Sequence, residues 1–334
     1  MKWKDLLNKL WRETPCRMDF DRPKVTSFAS LAEREIEAAR QNHRYSTAQN
    51  YLTAWKSLLR FLRTDNVSCG DINAAMLDNY QHWLKEQGVS LNTISCYTRC
   101  LRAIYNKGSD GISSPTNAFG KVFTGTVKTR KRALEEGDIR KLILLDIADR
   151  PSLDLTRDLF VFSFLAMGMP FVDMAYLRRD QIHEKFIYYY RHKTHQPIHV
   201  PLHPIMTTLL RKYENHADIY AFPILHSDNP AESHRQYLSR LREYNRQLKH
   251  LATIANLSSH LSSYVARHTW ASIAYSSNVE LAVISKALGH TNTHTTLVYV
   301  KELKDERLAE ASDTIIQQVL KPNVLTAHPV KTDR

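Results

Sequence analysis

Glycine and cysteine are scarce in this chain, and long apolar runs are missing from it altogether. Only nine glycines occur in 334 residues, which favours a mainly helical protein. The four cysteines include no C-x-x-C pair and are expected to pack in a reduced interior. No run of about 18 apolar residues is present, and charges are spread through the first dozen residues, so neither a membrane span nor a secretory signal is expected. These absences together predict a cytoplasmic protein.

Acidic residues are outnumbered, and two long stretches of the N-terminal helical segment contain none. Lysine and arginine total 46 against 34 aspartates and glutamates, and the resulting net charge of +12 favours a polyanionic partner such as nucleic acid. The acid-free stretches cover residues 39–64 and 87–109. A solvated helix face is the alternative for either stretch alone, but two in one bundle indicate a surface that contacts phosphates. The residues expected to make these contacts are Arg44, Lys56, Arg60, Arg99 and Arg102.

The spacing of helical and turn-rich segments predicts two domains. An N-terminal extension, residues 1–25, is expected to hold a short amphipathic helix over 4–12 and then an irregular stretch. Four amphipathic helices follow within residues 26–108 and should form a compact bundle. A second domain, also mainly helical, covers residues 133–320, and a polar tail follows over 321–334. Within the second domain the segments FIYYYR and QPIHVPL predict a β-hairpin with Lys193 in its turn.

The segment between the two domains, residues 109–132, is predicted to be a linker. Its first half is rich in turn residues, and its second half, KVFTGTVKTRKR, carries five positive charges and no acid. An ordinary exposed loop is the alternative to a linker that follows a DNA backbone. The residues expected to contact DNA there are Lys128, Arg130, Lys131 and Arg132.

Four separated features of the second domain supply the side chains for phosphoryl transfer through a covalent intermediate. They are Lys193, Arg267 in SSYVARHTWAS, His290 in LGH, and Tyr299 nine residues later. A tyrosine oxygen can attack a phosphodiester, an arginine can hold its non-bridging oxygens, and a lysine can protonate the leaving 5′ oxygen. The histidine can donate to the phosphate or transfer a proton. Because cationic side chains stabilise the charge, no metal or other cofactor is required. Taken alone, Tyr299 also fits an ordinary amphipathic helix.

The order of these features resembles the tyrosine recombinase (phage integrase) family over about residues 26–320. GMPFVDMAYL and YVARHTWASIA are similar to a subgroup found in bacterial mobile elements and DNA-inversion switches. The resemblance implies a mainly α fold with a small β-hairpin. It also implies a two-domain DNA clamp, in which a helical, SAM-like core-binding domain precedes an α+β catalytic domain.

The same resemblance implies a role for each matching residue. Tyr299 matches the nucleophile that forms a 3′-phosphotyrosine, and Arg267 matches the second arginine of the family's active site. His290 matches the histidine of the LGH motif, and Lys193 matches the hairpin lysine. Asp173 matches the acidic position that supports the first motif of the family, which is GMPFVDMAYL in this sequence.

The sequence departs from the family pattern at two places. Tyr264 stands where the family usually has a histidine, three residues before Arg267, and we expect it to donate a hydrogen bond to phosphate. The first arginine of the family is missing, because its two usual positions hold Met167 and Pro170. We therefore expect a slow or conditional enzyme, or a substitute cation, with the Met167 side chain directed at the phosphate pocket.

The function expected from the resemblance is site-specific cleavage and rejoining of double-stranded DNA. The family precedent is a tetramer on paired DNA sites. A C-terminal helix, here about residues 304–320, holds this tetramer together. We expect the protein to be associated with the nucleoid. The sequence leaves two alternatives open. One is a DNA-binding accessory protein whose catalysis is weakened by the missing arginine, and the other is a topoisomerase-like nicking enzyme without a specific site.

Overall fold

The computed structural model describes residues 27–108, 118–127, 133–216 and 219–297, together with positions 312, 313, 315 and 317. The chain divides after Thr129 into two compact units, each with its own apolar core. The described residues are mostly helical and contain one two-stranded antiparallel sheet, which confirms the predicted fold class. No helix in these described ranges is long and apolar enough to cross a membrane.

Four α-helices make up most of the described part of the N-terminal unit. Ser27 caps the first of them, because its hydroxyl accepts a hydrogen bond from the Ser30 N–H at 3.3 Å. Trp55, Tyr80 and Ile104 are among the buried side chains that fill the space between the helices. Apolar residues at helical spacing on all four helices account for this packing. The helices are α1 (Phe28–Gln41), α2 (Tyr45–Leu62), α3 (Ala74–Glu86) and α4 (Leu91–Gly108).

The described part of the predicted linker belongs to this bundle. Residues 118–127 bury Phe119 and Val122 in the core of the N-terminal unit. The hydroxyls of Ser95 and Thr98 on α4 donate to backbone carbonyls of this segment, at 2.6 and 2.8 Å. This segment therefore differs from the exposed linker that its turn residues suggested, because aromatic and β-branched side chains between the turns reach the core.

The second unit carries eight further helices among its described residues and the hairpin. Nearly every side chain in the middle of its second helix is buried, as expected for the continuous apolar run LFVFSFL. The helices are α5 (Glu136–Leu144), α6 (Pro151–Leu165), α7 (Phe171–Ala175), α8 (Pro204–Lys212), α9 (Pro230–Ile254), α10 (Val265–Ser276), α11 (Leu281–Ala287) and α12 (His294–Leu297).

The hairpin pairs β1 (Phe186–Tyr190) with β2 (Pro197–Pro201), and Tyr188 lies opposite His199. Side chains alternate along β1, so that Ile187 and Tyr189 point into the core while Tyr188 and Tyr190 are exposed. Arg191, the residue that follows β1, continues this alternation and also points inward.

The connection between α6 and α7 differs from the sequence prediction. The helix α6 ends at Leu165, and both Met167 and Gly168 have positive φ angles, +55° and +73°. The Met167 side chain is half-buried and packs against the apolar core of this unit. Met167 was expected to point at the phosphate pocket, but the backbone turn at this position directs its side chain to the core.

Candidate active site

Arg267 is a buried guanidinium on the first turn of α10. It is 2% exposed, and its Nη1 donates to the Gly168 carbonyl at 3.0 Å, while Nη2 donates to the Leu288 carbonyl. Gly168 is required here, because a Cβ at this position would lie 2.8 Å from the Arg267 Cα. The glycine of the first motif therefore makes room for the arginine.

His290 follows α11 and faces Arg267. Its Nε2 lies 3.1 Å from Arg267 Nη2, and its Nδ1 lies 2.8 Å from the hydroxyl of Thr296, a buried residue. Because a guanidinium can only donate, Nε2 must accept and the ring proton must be on Nδ1. Burial lowers the pKa of His290 to about 4, and the nearby charges of Arg267, Arg191 and Lys193 act in the same direction. The imidazole is therefore neutral at pH 7.

Lys193 lies exposed in the hairpin turn, as predicted, and the turn is fixed to the loop before His290. The Thr194 hydroxyl donates to the Gly289 carbonyl at 3.2 Å. The His192 N–H donates to Asp173 Oδ1 at 3.0 Å, so the same turn is also bound to α7. Lys193 thus stands beside His290 on a turn held from two sides.

Arg191 is a buried arginine beside the site that the sequence analysis missed. It directly follows β1, is 5% exposed, and its Nη1 donates to the same Leu288 carbonyl that Arg267 contacts. The signal was present in the alternation of the strand, since Ile187 and Tyr189 point inward and Arg191 continues that pattern. An inward arginine at the end of a strand requires a buried polar partner.

Asp173 supplies that partner. The carboxylate is 4% exposed, and its Oδ2 lies 3.1 Å from Arg191 Nε. Burial raises the pKa of Asp173, while Arg191 and the His192 N–H oppose the rise. The acidic position of the first motif therefore holds the hairpin arginine and the hairpin turn together.

The two predicted catalytic tyrosines differ in position. Tyr264 lies directly before α10 with its side chain 49% exposed, three residues from Arg267. A ring at this position is accessible to a ligand. Tyr299 lies outside the described residues. The part of the chain that leads toward it, α12, is tied to the site by the Thr296 contact with His290.

Five predicted DNA-contacting residues lie on described helices of the N-terminal unit, or at their ends. Arg44, Arg60 and Arg99 are exposed, and Lys56 and Arg102 are half-buried. Within the described ranges none of the five forms an ion pair with an acidic side chain.

Two other basic residues of the acid-free stretches are paired. Arg40 contacts Glu37 at 3.3 Å, and Lys107 contacts Glu35 at 2.6 Å. The five predicted residues and Arg63 are thus the basic residues of these stretches that have no ion pair within the described ranges. Lys128, Arg130, Lys131 and Arg132 lie outside the described part of the chain.

Family models match both units. Residues 27–112 match the model of the phage integrase SAM-like domain, and residues 133–306, more than half of the chain, match that of the phage integrase family. The chain therefore belongs to the phage integrase family, and it is a tyrosine recombinase. No curated protein matches the chain.

Solved structures share the fold at low sequence identity. An integrase of the transposon Tn1549, in complex with a circular intermediate DNA, is 15% identical with a TM-score of 0.62; the match covers 86% of this chain and 99% of that one. A lambda integrase tetramer bound to a Holliday junction is also 15% identical, with a TM-score of 0.59, and the match covers 83% of this chain and 78% of that one. These similarities establish the tyrosine recombinase fold.

Proposed function

We propose that this protein is a site-specific DNA recombinase that cuts and rejoins DNA through a 3′-phosphotyrosine on Tyr299. The observation that carries the proposal is that Arg267 and the Lys193 turn both hydrogen-bond to the loop 288–290, at the Leu288 and Gly289 carbonyls, and that His290 of this loop contacts Arg267. This arrangement collects cations and a neutral imidazole at one point, where a phosphate could bind to all of them. The Tn1549 integrase and lambda integrase structures, both bound to DNA, support a DNA substrate for the shared fold.

The chemistry follows from the side chains. Tyr299 Oη forms a bond to the scissile phosphorus, and the bond from phosphorus to the 5′ oxygen breaks. Lys193 donates a proton to the leaving oxygen. The tyrosine proton passes to His290 Nε2, whose lone pair becomes available when Arg267 Nη2 turns from the imidazole to a non-bridging oxygen. Arg267 and the Tyr264 hydroxyl bind the non-bridging oxygens, where negative charge increases in the transition state. Rejoining is the reverse reaction with a new 5′ hydroxyl.

Assembly on paired sites is part of the proposal. Recombination joins two duplexes, and the lambda integrase tetramer on a Holliday junction supplies the precedent. The predicted C-terminal helix is the proposed contact between protomers. Of this segment the structure describes four positions, all helical, and Ile315 among them is 62% exposed. Strand exchange between two sites measures the assembled activity and separates a recombinase from a nicking enzyme.

Tyr299→Phe tests the nucleophile. The substitution removes only the attacking oxygen, so DNA binding should persist while the covalent protein–DNA adduct on a nicked suicide substrate disappears. Gel shift and denaturing electrophoresis on the same samples measure both. Tyr105→Phe is the matched control, because it removes a tyrosine hydroxyl from the N-terminal bundle, and it should leave the adduct unchanged.

The accessory-protein alternative makes the opposite forecast for the wild-type chain. It is favoured by Met167 and Pro170, which stand where the family has its first arginine. An accessory protein would bind DNA and form no adduct on any suicide substrate. Adduct formation by the wild type would eliminate this alternative.

A further inference from the structure

Arg191 occupies the active site without a role in the chemistry described so far. Its guanidinium uses Nε toward Asp173 and Nη1 toward the Leu288 carbonyl. No described residue accepts a hydrogen bond from its Nη2. The side chain is therefore fixed on one edge and keeps a donor for a ligand on the other.

The two arginines of the site approach each other closely. Arg191 Nη1 and Arg267 Nη2 both donate to one oxygen, the Leu288 carbonyl. Two donors on one acceptor lie within roughly 6 Å of each other. Two like charges at that distance in a buried site repel strongly, and an anion bound between them relieves the repulsion.

We propose that Arg191 is the second phosphate-binding arginine of this active site and replaces the arginine missing at positions 167 and 170. The inference rests on the proposed function, because it assigns the ligand of the same site as the scissile phosphate. Arg267 reaches that phosphate from α10, and Arg191 reaches it from the end of β1. Two guanidiniums then clamp the non-bridging oxygens.

Two neighbours position Arg191. Asp173 Oδ2 lies 3.1 Å from Nε and attracts the guanidinium as a buried ion pair, although neither atom forms a hydrogen bond among the described residues. Gly289 makes room for the side chain, since a Cβ at this residue would lie 2.9 Å from Arg191 Cδ and 2.6 Å from Ile198 Cδ1. The glycine of the LGH motif thus accommodates Arg191 in the same way that Gly168 accommodates Arg267.

Other arginines near the first motif are engaged elsewhere. Arg178 forms an exposed ion pair with Asp180 at 3.2 Å. Arg179 donates to the backbone carbonyls of Tyr213 and Glu214, which lie after α8. Among the described arginines that follow the first motif, Arg191 is the one that shares an acceptor with Arg267.

The test compares two substrates. On a suicide substrate with a normal scissile phosphate, Arg191→Ala should lower the single-turnover cleavage rate about 10²–10³-fold, as expected for loss of one preorganised donor. On the same DNA with a methylphosphonate at the scissile position, one non-bridging oxygen is gone and the charge to be neutralised is absent. The deficit of Arg191→Ala relative to wild type should then become much smaller. DNA affinity should be nearly unchanged on both substrates.

Controls distinguish a failure of the Arg191 assignment from a failure of the proposed recombinase function. Arg178→Ala removes an exposed arginine and should leave both rates unchanged. If the wild type forms no adduct on either substrate, the proposed function fails. If the wild type forms the adduct and Arg191→Ala cleaves normal DNA equally fast, the assignment of Arg191 fails. An equal deficit on both substrates would also overturn it, since a purely structural residue affects them alike.

Folding is checked on the same samples. Should Arg191→Ala lower the melting temperature strongly, Arg191→Lys decides the question by the same criterion. The lysine keeps the positive charge opposite Asp173 but loses the fork. It should show an intermediate deficit on the phosphate and a smaller one on the methylphosphonate. A lysine variant that is folded and fully active, or equally impaired on both substrates, would contradict the assignment.

Discussion

The protonation state of His290 depends on burial and on the positive charges around it. It is a neutral acceptor toward Arg267 and a donor to Thr296, and both contacts depend on the same tautomer. Protonation would place a third positive charge beside Arg267 and Arg191. The site therefore favours the uncharged ring until an anion is bound.

This arrangement predicts a pH dependence of stability. The pKa of His290 falls from the ordinary 6.5 to about 4 in the folded chain, so the unfolded chain binds more protons between these values. The contribution of neutral His290 to the free energy of unfolding is fully present above pH 6.5 and is lost as the pH falls toward 4. The difference corresponds to at most about 3 kcal/mol, and solvent screening at this half-buried ring reduces it.

Urea unfolding of the full chain at pH 7 and pH 4.5 measures this loss. His290→Gln removes the titrating group and should flatten the pH dependence, whereas His250→Gln, at an exposed position of α9, should leave it as in the wild type. The same pH dependence in His290→Gln and the wild type would show that another group is responsible.

At the level of elements, the hairpin and the LGH loop act as one assembly. Arg191 and Thr194 donate to the Leu288 and Gly289 carbonyls, and Gly289 packs against Ile198 of β2. The loop can approach this closely only because position 289 has no side chain and adopts a φ of +64°. The lysine turn and the histidine are thus positioned by each other.

Gly289→Ala should separate them. The left-handed backbone alone costs an alanine about 1–2 kcal/mol, and the displaced Ile198 and Arg191 add to that cost. A lower melting temperature and a slower cleavage rate are expected together. Gly137→Ala is the matched control, because no atom lies within 4 Å of a Cβ there and α5 should tolerate or favour alanine. Wild-type cleavage by Gly289→Ala would refute the coupling.

The sequence predicts these elements better than it predicts how they meet. Helical periodicity and the aromatic FIYYYR segment were sufficient for the bundle and the hairpin, and Lys193 lies in the turn as expected. Arg191 was missed because motif spacing points to Met167 and Pro170. The arginine that lies beside Arg267 instead follows strand β1. The burial of Phe119 and Val122 was missed for a similar reason, since turn residues around them dominate the local pattern.

For the whole molecule, the basic residues of the bundle that have no acidic partner are the proposed contact with the DNA backbone. Replacing Lys56, Arg60 and Arg99 by glutamine should weaken binding to all sequences about equally. The slope of log K against log salt should fall by about one for each phosphate that is no longer neutralised. Fluorescence anisotropy across a salt series measures the slope.

The matched control uses residues that already have acidic partners. Arg40→Gln and Lys107→Gln remove two charges from the same bundle, but these side chains are held by Glu37 and Glu35. Their double variant should keep a salt slope close to that of the wild type. Equal slopes for both sets of variants would remove this surface from the proposed DNA interface.

The central claim is that Tyr299 becomes covalently joined to DNA. The most direct measurement traps the adduct of the wild-type chain on a nicked suicide substrate, digests it with protease and nuclease, and maps the modified peptide by mass spectrometry. We predict a 3′-linked nucleotide on Tyr299. A nucleotide on any other residue, or a chain that binds the substrate and carries none, would contradict the account.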